Sequence, residues 1–372
     1  MRILQIIYET PGSPFGFGGA GVRAYEIYRR LATRHDITLL ALRYRDVKDG
    51  RRDGLQHTFV GTESSSLFWS VLSYTVKAAS FVRRHGNTFD LIIENFLPST
   101  PFFTRFLTKT PVVLQVQGIM EWHSFKKFSL FYSLPISLVE WFYPFMYKKF
   151  IFVSPVTKEK VLAKVKGAVA FCPVIPNGIN EELLDLAPGD ENYILFLSRI
   201  DIYTKGLDLL VRAFEKISEK FAGIDLVLAG YEFDPFDALV SKLPPAVKKR
   251  IRYAGFVTGE EKVRLLSRAT FSVLPSRHES SPISVLEAAA CGKPVLVSDI
   301  PELRFVEENG FGLSFRSGSV DDLAEKMGFL MKDTSGRQLM SRSGKDFAKN
   351  FSWETIALQF EDALKTVVTS SR

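Results

Sequence analysis

A chain of 372 residues with 46% hydrophobic and 24% charged side chains has the length for two globular cores, and its composition excludes a disordered or collagen-like polymer. Its two cysteines, Cys172 and Cys291, exclude a disulfide framework and show no metal-ligand spacing, which sets the expectation of a reducing, cytoplasmic setting. Net charge is +7, unevenly spread: residues 1–180 carry 23 basic against 12 acidic side chains (+11), residues 181–372 carry 25 against 29 (−4). An anionic partner is therefore expected for the first half alone, with nucleic acid and a membrane surface as the two candidates.

Met1 to Tyr8 is too short an apolar run for a signal peptide and is broken by Glu9, Pro11 and Gly12. Residues 2–8 alternate as a strand. A turn-rich run from Pro11 to Gly21 follows, then a helical pattern from about Val22 to Thr33. Strand, glycine loop and helix together make a phosphate-accommodating unit, with Gly18 and Gly19 letting backbone approach an anion. The loop is long and misses the G-x-G-x-x-G register of a dinucleotide site.

Strand and helix patterns then alternate through 37–42, 67–84, 89–93, 111–117 and 150–153, the signature of a doubly wound parallel sheet. Phe128–Tyr147 departs from this pattern. It is nearly all apolar and aromatic, flanked by Lys126-Lys127 and Lys148-Lys149, while Pro135, Glu140 and Pro144 argue against a membrane span. Buried helices and an interfacial element both fit. Val174–Ile179 closes the half, Pro188-Gly189-Asp190 reads as a linker, and a second series has strands at 194–197, 224–229, 251–254, 271–274, 294–297 and 312–315. Two such sheets in succession make the cleft between them the expected ligand site.

Two segments of the second series carry chemistry. Arg199 and Lys205 follow its first strand, and a planar fork with a point charge suits a diphosphate. After the strand 271–274 comes Ser276 to Glu287. With Ser281 as N-cap and Pro282 as first helical residue, a helix should start there and run to about Cys291, its N-terminus offering free N–H groups to phosphate. Glu279 and Glu287 bracket that anion site and can accept hydrogen bonds from hydroxyls on either side of it. The bland alternative makes both carboxylates solvated surface charges.

In this order the motifs resemble those of retaining glycosyltransferases of family 4, over nearly the whole chain. The matching residues are Gly18-Gly19 before a helix ending Tyr28-Arg29-Arg30, Val153-Ser154 with Lys158-Glu159, Ile175-Pro176-Asn177-Gly178-Ile179, Ser198-Arg199 with Lys205-Gly206, Glu279 to Glu287, and Phe351-Ser352-Trp353-Glu354. The resemblance implies a GT-B fold of two Rossmann-like doubly wound domains facing a central cleft: an acceptor domain at 1–180, onto which a final helix at about 352–372 packs back, and a donor domain at 188–351. It implies Arg199 and Lys205 on the leaving diphosphate, Glu279 on the donor sugar and Glu287 on the ribose. Ser281, Pro282, Ile283 and Ser284 would contact the phosphates, Gly255-Phe256-Val257 would line the base pocket, and Gly18, Gly19, Gln117 and Asn177 would complete the substrate site. Gln117 stands where many members have His, and it cannot shuttle a proton at neutral pH.

The resemblance implies a nucleotide-sugar donor and a glycan or lipid-linked acceptor; the basic first half and the segment Phe128–Tyr147 add the expectation of an anionic membrane surface, with peripheral attachment on its inner face and no nucleic acid. No cofactor and no metal are expected. A nicotinamide-dependent oxidoreductase and a non-catalytic sugar-nucleotide module are the rival readings.

Overall fold

The computed structural model describes residues 1–13, 17–64, 66–127, 129–165 and 167–370. Chain contacts divide into two units, Met1–Asn177 with Trp353–Arg372, and Gly178–Ser352.

The first unit is built on β1 (Arg2–Ile6), β2 (Asp36–Leu42), β3 (Gly50–Arg52), β4 (Leu55–Val60), β5 (Leu91–Asn95), β6 (Val112–Val116) and β7 (Phe150–Phe152), in the order β3-β4-β2-β1-β5-β6-β7. All neighbours are parallel except β3 and β4. Every residue of β5 and β6 is buried, as befits central parallel strands covered on both faces. The β3–β4 hairpin lies outside the strands the sequence suggested. Its signal is the pair Asp53-Gly54, both at positive φ (51° and 77°), the tight turn that such a dipeptide adopts readily.

The helices of this unit are α1 (Gly19–Leu31), α2 (Leu67–His85), α3 (His123–Lys127), α4 (Leu130–Phe142) and α5 (Pro155–Leu162). The aromatic segment resolves into α3, α4 and a short 3-10 turn, Tyr143–Met146; Phe128 falls outside the described residues. Tyr143 and Tyr147 are buried, and both donate their hydroxyls to the buried Glu94 of β5. Helix α4 is turned inside out. Its buried residues are Ser133 and Glu140, while Leu130, Phe131, Leu134, Leu138 and Trp141 are exposed, Phe131 at 78%. The first half of α2 also exposes Phe68, Trp69, Leu72 and Val76, and the Phe68 ring meets that of Tyr132, joining the two apolar faces. Among the described residues no helix is long and apolar enough to cross a membrane.

The second unit holds β8 (Tyr193–Leu197), β9 (Asp225–Ala229), β10 (Ile251–Tyr253), β11 (Phe271–Leu274), β12 (Val295–Ser298) and β13 (Gly312–Phe315), parallel throughout, in the order β10-β9-β8-β11-β12-β13. These are the six strands that the sequence predicts, with ends shifted by a residue. Helices α6 (Leu207–Ser218), α7 (Phe236–Val240), α8 (Pro245–Lys248), α9 (Gly259–Arg268), α10 (Ile283–Ala290), α11 (Phe305–Glu308), α12 (Val320–Lys332) and α13 (Thr334–Ala348) cover it. The last helix, α14 (Trp353–Thr369), returns to the first unit and packs on α1, with Phe360 edge-on to Tyr28.

Both sheets are doubly wound, and among the parallel strands of each the chain order reverses once: between β1 and β5, and between β8 and β11. Outside the carboxyl ends of the strands at such a reversal is where open α/β sheets hold their ligands.

Candidate functional site

The two chemistry-bearing segments of the second unit follow β8 and β11, the strands that flank its reversal. In the first, Asp201 is 1% exposed and organises the loop: Oδ1 accepts the Thr204 N–H at 3.0 Å, and Oδ2 accepts the Arg199 guanidinium at 2.9 Å. Arg277 fastens this loop to the second segment, donating to both oxygens of Asp208 at 2.7 and 2.8 Å and to the Tyr203 carbonyl at 2.9 Å. Gly206 has φ +65°, and a Cβ there would lie 2.0 Å from the Pro275 carbonyl oxygen, so only glycine lets the loop rest against the end of β11.

This close approach brings Lys205 Nζ to 2.5 Å from Glu279 Oε1, and the Ser276 hydroxyl donates to the same oxygen at 2.7 Å. Glu279 is 7% exposed, so the surface-charge alternative fails for it. The sequence sets Arg199 and Lys205 as two cations facing a diphosphate. In the structure each is also matched to a carboxylate, Lys205 to Glu279 and Arg199 to Asp201. Arg199 lies over the Phe233 ring at 5.2 Å with its side chain 45% exposed, and an ammonium with three protons or a guanidinium with five N–H groups has donors beyond one carboxylate.

Helix α10 begins one residue later than the sequence suggests. Pro282, not Ser281, is its N-cap: the Pro282 backbone is extended (ψ 114°), so the first helical residue is Ile283. The first-turn amides of an α-helix have no acceptor within the helix, which leaves those of Ile283 and Ser284 for an anion beside half-buried Ser281 and Pro282. Glu287 is also 7% exposed, and its carboxylate accepts Lys262 Nζ from α9 at 2.6 Å. Val257 turns its side chain into the core, whereas the neighbouring Phe256 ring is exposed.

In the first unit Glu9 has come to the glycine loop. Its Oε2 accepts the N–H groups of Gly18 and Gly21, each at 2.9 Å, and α1 starts at Gly19, three residues ahead of Val22. A carboxylate thus occupies amides that the sequence assigns to an anion. Gln117, just beyond β6, donates to Asn95 Oδ1 at the end of β5 (2.8 Å). Asn177 is held in the interior, where Arg23 Nη1 donates to its Oδ1 at 3.2 Å and to the Pro176 carbonyl at 2.5 Å. Burial brings the Arg23 guanidinium down to about 9.

Sequence spacing missed Asp201, Ser276, Arg277, Lys262 and Glu9. Asp201, two residues from Arg199, and Ser276, three residues from Glu279, were within local reach. Lys262 and Arg277 meet their partners only because the strand order brings distant loops together.

Two family models match the chain, Glycosyltransferase Family 4 over residues 17–183 and Glycosyl transferases group 1 over residues 185–347. An uncharacterised glycosyltransferase of Methanocaldococcus jannaschii is 30% identical over 55% of this chain and 56% of its own length, so the match spans little more than half of that relative. Among solved structures, the sucrose-phosphate synthase of Thermosynechococcus elongatus superposes with a TM-score of 0.81, covering 99% of both chains at 18% identity. Anabaena HepE in complex with UDP-glucose gives 0.75, covering 98% of this chain and 100% of that one at 18% identity. At these identities the likeness shows the fold, which is GT-B.

Proposed function

The chain belongs to family 4 of the glycosyltransferases, and from that premise we propose that it moves a sugar from a nucleoside diphosphate sugar to a glycan or lipid-linked acceptor, with retention at the anomeric carbon. The observation that carries this reading is the Lys205–Glu279 pair, its carboxylate buried and its ammonium half-buried where two strand ends flank a sheet reversal, next to the N-terminus of α10. Replacing one partner of a buried ion pair leaves an uncompensated charge, and such pairs add little stability over apolar packing. Their position at a ligand edge therefore favours a chemical role. Anabaena HepE, of the same fold, was solved with UDP-glucose.

On this reading the bond from the anomeric carbon to the diphosphate oxygen breaks while the acceptor oxygen bonds to that carbon on the same face. The departing phosphate takes the acceptor's proton. Arg199 and Lys205 offset the charge that builds on the leaving oxygen, and the α10 amides hold the phosphates. Glu279 fixes the Lys205 ammonium in place and accepts sugar hydroxyls; Glu287 accepts those of the ribose. With the diphosphate charge met in this way a divalent ion has no required part, and EDTA should leave turnover unchanged.

The first unit is read as the acceptor side, resting on an anionic lipid surface. Support comes from the outward apolar faces of α4 and α2 beside the exposed Lys126 and Lys148, since aromatic and basic side chains suit the headgroup boundary.

The test is release of nucleoside diphosphate from UDP-, GDP- and ADP-glucose, with the anomeric configuration of the product read by NMR. Arg199→Ala should lower kcat/KM by about 10²–10³ without a change in melting temperature, because the lost contact forms fully only in the transition state. Wild-type kcat/KM in that variant, or an inverted product, sinks the mechanism.

A further inference from the structure

Val139 and Phe142 of α4 pack partly on the core of its unit, and the rest of its inward face is fastened by polar contacts. Glu140 Oε2 accepts the Met120 N–H at 2.6 Å, and Oε1 accepts the Glu121 N–H at 2.8 Å. The Ser133 hydroxyl donates to the Ser124 carbonyl at 2.8 Å, and the Ser124 and Ser137 hydroxyls meet at 3.2 Å. Every one of these bonds lands on the short stretch 120–124, which begins three residues after Gln117. That stretch is strained: Glu121 has φ +48°, a left-handed conformation that a non-glycine residue keeps only when its surroundings impose it. Glu121 is pinned a second time, its carboxylate accepting Lys160 Nζ at 2.9 Å.

Glu140 therefore sits between two features that share no other explanation. Outward of it lies the exposed apolar face of α4; inward lies the backbone that carries the chain away from Gln117 and Asn95 at the carboxyl edge of the sheet. Burial holds the Glu140 carboxyl above its ordinary range, and the Met120 and Glu121 amides and the Lys164 charge act against that rise, with Glu121 as the like charge nearby.

We infer that Glu140 is a positioning residue: it couples the seating of α4 on a lipid surface to the conformation of residues 117–124, so that contact with the surface orders the acceptor side of the site. This rests on the reading of the first unit as the surface-bound acceptor side. The coupling needs both carboxylate oxygens. Glu140→Gln keeps an acceptor for one amide and turns an NH2 group toward the other, whereas Glu140→Ala leaves both amides without their acceptor.

The test uses the full chain with phosphatidylglycerol vesicles and reads hydrogen exchange of the peptides covering 117–124, together with sedimentation of protein with the vesicles. In the wild type, vesicles should slow exchange in this segment by about tenfold. Glu140→Ala should sediment with vesicles as the wild type does, yet show no slowing, and Glu140→Gln should fall between. A part that is merely structural would speed exchange in the free variants but leave the response to vesicles intact; that result overturns the proposal. Should Glu140→Ala fail to fold, Glu140→Gln decides alone, and a full wild-type response in it overturns the coupling. Wild-type protein that sediments without any change in exchange removes the coupling and leaves the surface reading standing. Wild-type protein that stays in the supernatant removes both.

Discussion

Helices α10 and α4 are both rich in apolar side chains and each points one glutamate inward, yet they end in opposite surroundings. In α10, Val285 through Ala290 are all buried, Glu287 with them, and the small residues Ala288 to Ala290 let α13 come close enough that a Cβ on Gly344 would lie 3.2 Å from the Ala289 carbonyl oxygen. In α4 the fully buried positions go to Ser133 and Glu140, Val139 and Phe142 pack partly on the core, and Leu130, Phe131, Leu134, Leu138 and Trp141 face out. Apolar composition thus buries a helix only where its neighbours offer apolar surface. Where the neighbour offers backbone N–H and C=O groups, the polar side chains turn inward and the apolar ones are left for another medium.

The contrast is broken most severely by placing a charge on each helix. Ala288→Glu should cost about 4 kcal/mol or more, since it buries an unpaired carboxylate in a packed core, and urea unfolding should show the loss. A cost under about 1 kcal/mol would mean that α10 is not held as described.

Next in size is the division of labour between the two glutamates. Glu287→Ala should weaken binding of the nucleoside diphosphate about tenfold through lost ribose hydrogen bonds, while Glu140→Ala leaves it within about twofold. Equal effects measured by calorimetry would erase the distinction between a donor-side and an acceptor-side glutamate.

Helix α14 lies between the two cases, with apolar residues buried and a charged anchor at its edge. Glu361 accepts His35 Nε2 at 2.8 Å and pairs with Arg34 and Lys365. Burial alone would raise its carboxyl, but the bonds from His35 and Lys365 and the Arg34 charge bring it below the ordinary carboxylate value. A depressed carboxylate contributes stability that is present above its unfolded value, about 4.3, and is lost as pH falls through the lower folded value. Melting temperature should therefore drop on acidification below about pH 4 by more in the wild type than in Glu361→Gln. Parallel profiles would show that the anchor carries no such linkage.

The smallest expected change is on the outward face. Leu134→Glu with Leu138→Glu should alter folding stability by no more than about 0.5 kcal/mol, as exposed substitutions do, while abolishing sedimentation with anionic vesicles. A large stability loss would show that the face is covered by the protein itself.

The two parallel sheets were legible because short apolar runs punctuated by glycine and proline leave few other readings, and the ordered motifs around Arg199, Lys205, Glu279 and Glu287 gave the family resemblance. What stayed hidden depended on three dimensions. Lys262, the partner of Glu287, is an ordinary residue in sequence, and only the packing of α9 against α10 gives it meaning. The start of α10 slipped by one residue because Ser-Pro satisfies two capping registers equally well. For 128–147 periodicity reported an apolar helix with interruptions, but a helical period does not say which side faces in. The answer lay with Glu140 and Ser133, whose partners are backbone groups that a sequence does not locate.

The account stands on a nucleoside diphosphate bound by the Arg199, Lys205 and α10 cluster. Thermal melting with UDP, GDP, ADP and NAD, run on the wild type and on Arg199→Ala, tests it most directly, because a ligand that binds the folded state raises the melting temperature by mass action. The prediction is that one of the three nucleoside diphosphates stabilises the wild type, that the shift shrinks in Arg199→Ala, and that NAD leaves both unmoved. Stabilisation by NAD alone, or equal shifts in the two proteins, would contradict it.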